Sequence, residues 1–66
     1  MQITVNGDTV VMNDDATLDA LLQKLSLGEA RVAVELNGNI VPRSQHPHQS
    51  LQDGDILEIV HAIGGG

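Results

Sequence analysis

The chain is short and acidic, and its composition excludes several classes of protein. Its 66 residues carry a formal net charge of −6 and include no cysteine, phenylalanine, tryptophan or tyrosine. A chain of this length forms one domain at most, with a small core. The negative charge disfavours nucleic acid and anionic membranes as partners, and the lack of cysteine excludes disulfides, thiolate metal sites and a thiol nucleophile.

The sequence also gives expectations about location and partners. No apolar run approaches the ~20 residues that a membrane helix needs. The first residues lack the basic start and the long apolar stretch of a secretory signal. We therefore expect a cytoplasmic protein. We also expect a protein partner with a basic docking surface, because opposite charges accelerate the encounter of two proteins.

Residues 1–12 predict a β-hairpin. Asn6-Gly7 separates two short apolar runs, and this dipeptide is preferred in two-residue turns because both positions need a positive φ. A turn at this point pairs Ile3 with Val10 and gathers the apolar side chains on one face of the hairpin. The turn chemistry and the apolar pattern therefore support the same register.

Residues 13–31 predict an amphipathic helix that packs on a sheet. The spacing i, i+3, i+4, i+7 of one helix face is followed by Leu18, Leu21, Leu22 and Leu25. Thr17 is the predicted N-cap and Gly28 the predicted C-terminal stop. The leucine stripe indicates a contact with the core rather than a binding face for a partner helix.

The second half of the chain predicts more strands. Val32, Val34 and Leu36 alternate along one strand, and Asn37-Gly38 offers a second tight turn. An irregular segment follows, and a final strand then begins at the end of a turn.

The final strand determines the expected architecture. Residues 44–52 predict the irregular segment, residues 53–55 the turn and residues 56–63 the last strand. This strand is apolar on both faces, as is usual for a strand in the centre of a sheet. The order of segments predicts a single two-layer α+β domain over residues 1–66, in which one main helix covers one face of a mixed sheet.

Polar side chains give only weak signals for a catalytic or metal site. His46 and His48 flank a proline, but no third ligand follows at a suitable spacing, so these histidines and His61 are interpreted as structural or surface residues. Asp53 and Asp55 lie around a glycine and are interpreted as turn residues rather than an acid–base pair. The serines have no visible base, so a nucleophile is not predicted.

The last three residues, Gly64, Gly65 and Gly66, have two interpretations. Composition alone favours a frayed chain end. The alternative is a working tail that extends about 10–13 Å beyond Ile63 and enters a narrow channel because glycine has no Cβ. A terminal carboxylate is ionised at neutral pH and can attack the α-phosphorus of ATP when a partner supplies positioning and metal. The resulting acyl-adenylate is open to an amine or a sulfur nucleophile.

Two longer motifs carry a resemblance to a known family. They are "LNGNIVPR" at residues 36–43 and "LQDGDILEIVHAIGGG" at residues 51–66. With these motifs the chain resembles, over essentially its whole length, the ThiS family, the sulfur carriers of thiamine biosynthesis in the ubiquitin-like β-grasp group. One departure is His46, where the family often has a large apolar residue. The resemblance implies a β-grasp fold with a flexible tail at residues 64–66, and a carrier rather than an enzyme.

The resemblance also implies a cycle that depends on partner proteins. An adenylyltransferase related to ubiquitin-activating enzymes uses ATP-Mg to adenylate Gly66, while Gly64 and Gly65 thread into its active site. Sulfur from a cysteine desulfurase then replaces AMP and leaves a thiocarboxylate. Thiazole synthase takes this sulfur for the thiazole ring. The carrier itself then needs no permanently bound cofactor or metal.

The same resemblance implies that the exposed face of the sheet docks these partners. Ile59, Val60 and Ala62 lie near the tail and are the expected docking residues, although alternation does not show which face the helix covers, so each of them can also be a core residue. Three alternative functions stay open: a carrier that serves molybdopterin or another sulfur acceptor, a ubiquitin-like modifier joined to lysines through Gly66, and an interaction domain with an inactive tail.

Overall fold

The structure, a computed structural model, describes residues 1–62. The secondary-structure elements follow in the order β1 (Gln2–Val5), β2 (Asp8–Val11), α1 (Leu18–Lys24), β3 (Val32–Leu36), β4 (Asn39–Val41), a 3₁₀ helix (Arg43–His48) and β5 (Ile56–His61). The strands form one mixed sheet in the order β2-β1-β5-β3-β4. β1 runs parallel to β5, and the other neighbours are antiparallel. The predicted central position of the last strand is confirmed.

Both predicted hairpins form around their Asn-Gly turns. Asn6 and Asn37 have φ of 51°, and the glycines that follow have φ of 86° and 87°. Positive φ at both turn positions defines the type I′ turn, whose twist matches that of the flanking strands. β1 and β2 pair Ile3 with Val10, so the register expected from the sequence is confirmed.

Helix α1 begins at the predicted N-cap but ends before the predicted stop. Thr17 Oγ1 accepts a hydrogen bond from the backbone N–H of Ala20 at 3.3 Å. The expectation that Gly28 ends the helix is wrong, because Ser26 adopts the left-handed conformation with φ of 61°. The N–H groups of Ser26 and Leu27 donate to the carbonyls of Gln23 (3.0 Å) and Leu22 (2.7 Å). These two bonds form a Schellman motif.

The segment expected to be irregular contains the 3₁₀ helix, which corrects that prediction. Pro42 precedes it with φ of −58°, and its carbonyl accepts a hydrogen bond from Gln45 N–H at 2.9 Å. His46 is the buried side chain of this helix. Short 3₁₀ helices have no strong periodic pattern, so no periodic signal in residues 43–48 predicts this one.

The turn before β5 forms as predicted. Gly54 has φ of 87°. Asp55 Oδ2 accepts from Gln52 N–H at 2.7 Å, and Asp53 Oδ1 accepts from Gln2 N–H at 2.7 Å. Asp55 therefore holds the backbone of its own turn, and Asp53 links this turn to the start of β1, so their interpretation as turn residues is confirmed.

The core lies between α1 and one face of the sheet. Its fully buried large side chains are Ile3, Leu18, Leu21, Val34 and Leu57. Leu22 and Ile59 belong to the same cluster, and Leu25 packs against it only partly buried. Because one helix covers one face, the opposite face of the sheet is left exposed.

Candidate functional site

β5 is the strand that leads to the tail, and two turn asparagines fix its backbone. Asn6 Nδ2 donates to the carbonyl of Ile59 at 2.9 Å, and its Oδ1 accepts from Ile59 N–H at 2.8 Å. On the other side of the strand, Asn37 Oδ1 accepts from Ile56 N–H at 2.9 Å. Asn37 Nδ2 also donates to Asp55 Oδ1 at 3.0 Å. Each hairpin turn therefore holds the central strand with a side chain.

The Asn6 contact continues the pairing of β1 with β5 beyond its backbone ladder. That ladder ends where Val5 pairs with Leu57, followed by a bond from Asn6 N–H to the Leu57 carbonyl at 3.0 Å. The side-chain amide of Asn6 then bonds Ile59 as a further strand residue would. The sequence predicts only turn positions for Asn6 and Asn37, because nothing in a single sequence distinguishes a turn asparagine that also holds a neighbouring strand.

The end of β5 remains paired with β3 up to the last described residue. Val60 pairs with Ala33 and His61 with Val32. Ala62 N–H then donates to the carbonyl of Arg31 at 2.9 Å. Gly66, predicted to carry sulfur, and Gly64 and Gly65, predicted to thread into a partner, lie outside the described residues, so their roles stay predictions.

The predicted docking residues lie on different faces of the sheet. Ile59 is only 6% exposed and packs in the core under α1, so it is not available as a docking residue, and that expectation is corrected. The reason is strand alternation, which places Ile59 on the same face as Leu57. Val60 is 58% exposed, and Ala62 is exposed as well. These two residues remain candidates.

The exposed face of the sheet carries apolar side chains on several strands. The large ones among residues 1–62 are Val11, Ile40, Ile56 and Val60, each more than half exposed. Ile56 and Val60 alternate with Glu58 along β5, and Ile40 projects from β4. A face with apolar side chains and a charged centre is able to bind another protein by contact.

The histidines occupy structural and surface positions, as interpreted from the sequence. His46 is 5% exposed, and its Nε2–H donates to the carbonyl of Val41 at 3.2 Å. The imidazole thus fills the buried position where a large apolar residue was expected. His48 and His61 are exposed. Within residues 1–62 no group of three or more histidine or acidic side chains has the arrangement of a metal site.

Every helix within residues 1–62 is too short or too polar to cross a membrane.

Comparison with known proteins gives concordant matches. The family model described as the ThiS family matches residues 1–66. The sulfur carrier protein ThiS of Escherichia coli is 35% identical over 66 residues, which cover 100% of both chains. The crystal structure of the thiamine biosynthesis protein ThiS from Geobacter metallireducens superposes with a TM-score of 0.84 at 33% identity and also covers 100% of both chains.

A longer relative matches as well. A thiazole synthase of Paramagnetospirillum magneticum is 42% identical to the chain over 66 residues. The chain spans 20% of the length of that protein. The structural match confirms the predicted fold class, an α+β domain of the ubiquitin-like β-grasp type.

Proposed function

The chain belongs to the ThiS family of sulfur carriers for thiamine biosynthesis, and from this premise we propose that it carries sulfur on Gly66 for the formation of thiazole. The expectation of a carrier rather than an enzyme is confirmed at the level of the family. The observation that most strongly supports the proposal is the full-length likeness to a sulfur carrier. The cytoplasmic location expected from the sequence is part of the same proposal.

The proposed chemistry takes place in partner active sites. A carboxylate oxygen of Gly66 attacks the α-phosphorus of ATP in an adenylyltransferase, and pyrophosphate leaves. The terminal sulfur of a persulfide, formed with a cysteine desulfurase, attacks the carbonyl carbon of the acyl-adenylate, and AMP leaves. A thiol of a partner protein then reduces the resulting acyl disulfide: it releases the thiocarboxylate on Gly66 and is itself oxidised to a disulfide. The thiocarboxylate then donates its sulfur to thiazole synthase. Partner residues and Mg²⁺ supply the positioning and the charge stabilisation that this chemistry needs.

The geometry of β5 supports the proposal that this chain presents its tail while partner proteins carry out the chemistry. The strand is held by both neighbouring strands and by the side chains of Asn6 and Asn37, so the tail begins from a fixed point of the sheet. Fixing one end of a segment reduces the number of conformations that a partner must order on binding. Gly64 and Gly65 then provide the narrow segment that enters the partner.

The proposal is tested by the intact mass of the protein after incubation with the adenylyltransferase of the same organism, ATP-Mg and a sulfur source. We expect a mass gain that equals the exchange of one oxygen for one sulfur, and no gain after deletion of Gly66. An adenylyltransferase that modifies a known carrier but leaves this chain unchanged contradicts the proposal. Stable conjugates to lysines on a denaturing gel, without a thiocarboxylate, indicate a ubiquitin-like modifier instead.

A further inference from the structure

Two glutamates lie directly opposite each other on the exposed face of the sheet. The register of β3 with β5 pairs Glu35 with Glu58, and both side chains are exposed. Like charges in directly opposed positions destabilise a sheet. Within residues 1–62 neither carboxylate forms a salt bridge. The folded protein therefore retains a repulsive pair at the centre of this face.

Apolar side chains surround the pair. Ile56 and Val60 lie two residues before and after Glu58 on the same face, and each is 58% exposed. Ile40, which is 66% exposed, lies directly opposite Glu35 on β4. A protein that covers these apolar side chains also removes water from the carboxylates between them. Burial of an unpaired carboxylate is strongly unfavourable, so such a partner must provide a positive group.

The geometry favours arginine as that group. Opposed residues of an antiparallel pair that exchange backbone hydrogen bonds have Cα atoms about 5.5 Å apart. A planar guanidinium has five N–H donors and can bond two carboxylates at this separation, whereas a lysine ammonium is a compact point charge. A metal ion is a poorer occupant, since within residues 1–62 no third histidine or acidic side chain joins Glu35 and Glu58 in a possible metal site.

The family resemblance already implies that this face docks partner proteins. We propose that an arginine of the activating adenylyltransferase inserts between Glu35 and Glu58, while Ile56, Val60 and Ile40 make the surrounding apolar contacts. This inference rests on the proposed function for the identity of the partner. A net charge of −6 complements a basic partner surface. The ordinary role of surface glutamates in solubility does not account for the pair, because solubility gains nothing from placing two of them directly opposite each other.

The test compares Glu35→Gln, Glu58→Gln and the double variant with the wild type in binding to the adenylyltransferase. Glu29→Gln is the matched control, because Glu29 is an exposed glutamate outside this face, in the loop before β3. We expect each single variant to raise the Kd by about tenfold or more, mainly through faster dissociation. The double variant should raise the Kd by less than the product of the two single-variant increases, because both carboxylates bind the same guanidinium group. Glu29→Gln should change the Kd less than about threefold.

The unfolding midpoint of each variant separates binding from folding. Loss of one carboxylate relieves repulsion, so the midpoint of Glu35→Gln and of Glu58→Gln should stay unchanged or rise while binding weakens. An equal effect of Glu29→Gln, or a Kd that does not change in the double variant, overturns the inference. If the glutamate variants fail in this way but the wild-type protein gains sulfur in the same preparation, only the inference about the glutamates is overturned and the proposed function stands. A wild type that neither binds nor is modified overturns both.

Discussion

At the scale of single residues, Ser26 carries a conformational cost that a glycine does not. Its φ of 61° lies in the left-handed region, where a Cβ is unfavourable. We predict that Ser26→Gly raises the free energy of unfolding by about 0.5–1 kcal/mol, measured by urea denaturation. Ser26→Ala is the control and should give no gain, because alanine keeps the Cβ. A Ser26→Gly protein that is less stable than the wild type contradicts this interpretation of the helix end.

His46 is a second residue whose effect depends on its surroundings. It is buried, and its ring donates a hydrogen bond to Val41 O. We predict that His46→Ala lowers the free energy of unfolding by about 2–3 kcal/mol, since it removes both packing and a hydrogen bond. His46→Leu should lose less, because leucine refills most of the volume. Equal losses in the two variants mean that the hydrogen bond, and not the packing, makes His46 important.

At the scale of elements, the two hairpin turns hold the central strand through their asparagines. Asn6→Gly preserves the positive φ of the turn but removes both hydrogen bonds to Ile59. We predict a loss of about 1–3 kcal/mol and faster amide hydrogen exchange at Ile59, measured by NMR.

Asn37→Gly is the matched control for that change. It removes the bond from Ile56 N–H, so its faster exchange should appear at Ile56 and leave Ile59 protected. Uniform acceleration across β5 in both variants argues against local fixing of the strand, since it reports global unfolding.

At the scale of the whole molecule, folding and tail chemistry should be separable. We predict that Gly65→Leu slows adenylation by about 100-fold, because a bulky side chain misplaces the reacting carboxylate in a narrow channel. The cluster of buried residues under α1 is unaltered by this change, so the thermal unfolding midpoint should stay the same. Gly65→Ala should give an intermediate rate. Wild-type adenylation of Gly65→Leu contradicts the threading role of the tail.

The parts of this fold that the sequence predicted are those with a strong local pattern. The Asn6-Gly7 turn, the Thr17 cap and the apolar β5 each agree with the structure. Because glycine is the usual residue at the end of a helix, the sequence predicts that α1 ends at Gly28, whereas in the structure Ser26 takes the left-handed position. Residue propensities favour glycine at this position but do not exclude serine.

The candidate site is predictable only in part, because it depends on which sheet face the helix covers and on how distant strands pair. Alternation separates Ile59 from Val60 but does not show which of them faces the helix, and the helix lies on the side of Ile59. The opposition of Glu35 and Glu58 depends on the register between strands far apart in the chain. That register is set by tertiary pairing, which no local pattern contains.

The central position of β5 has a consequence for synthesis of the protein. The β1–β2 and β3–β4 hairpins are both synthesised before β5, yet they are joined into one sheet only by β5, which lies between them. On the ribosome, a nascent chain therefore holds two separate hairpins and an uncovered α1 until residues 56–61 have emerged. Translation that stops before β5 leaves no five-stranded sheet and no shared core, so the incomplete chain is exposed to proteases before any partner can bind it.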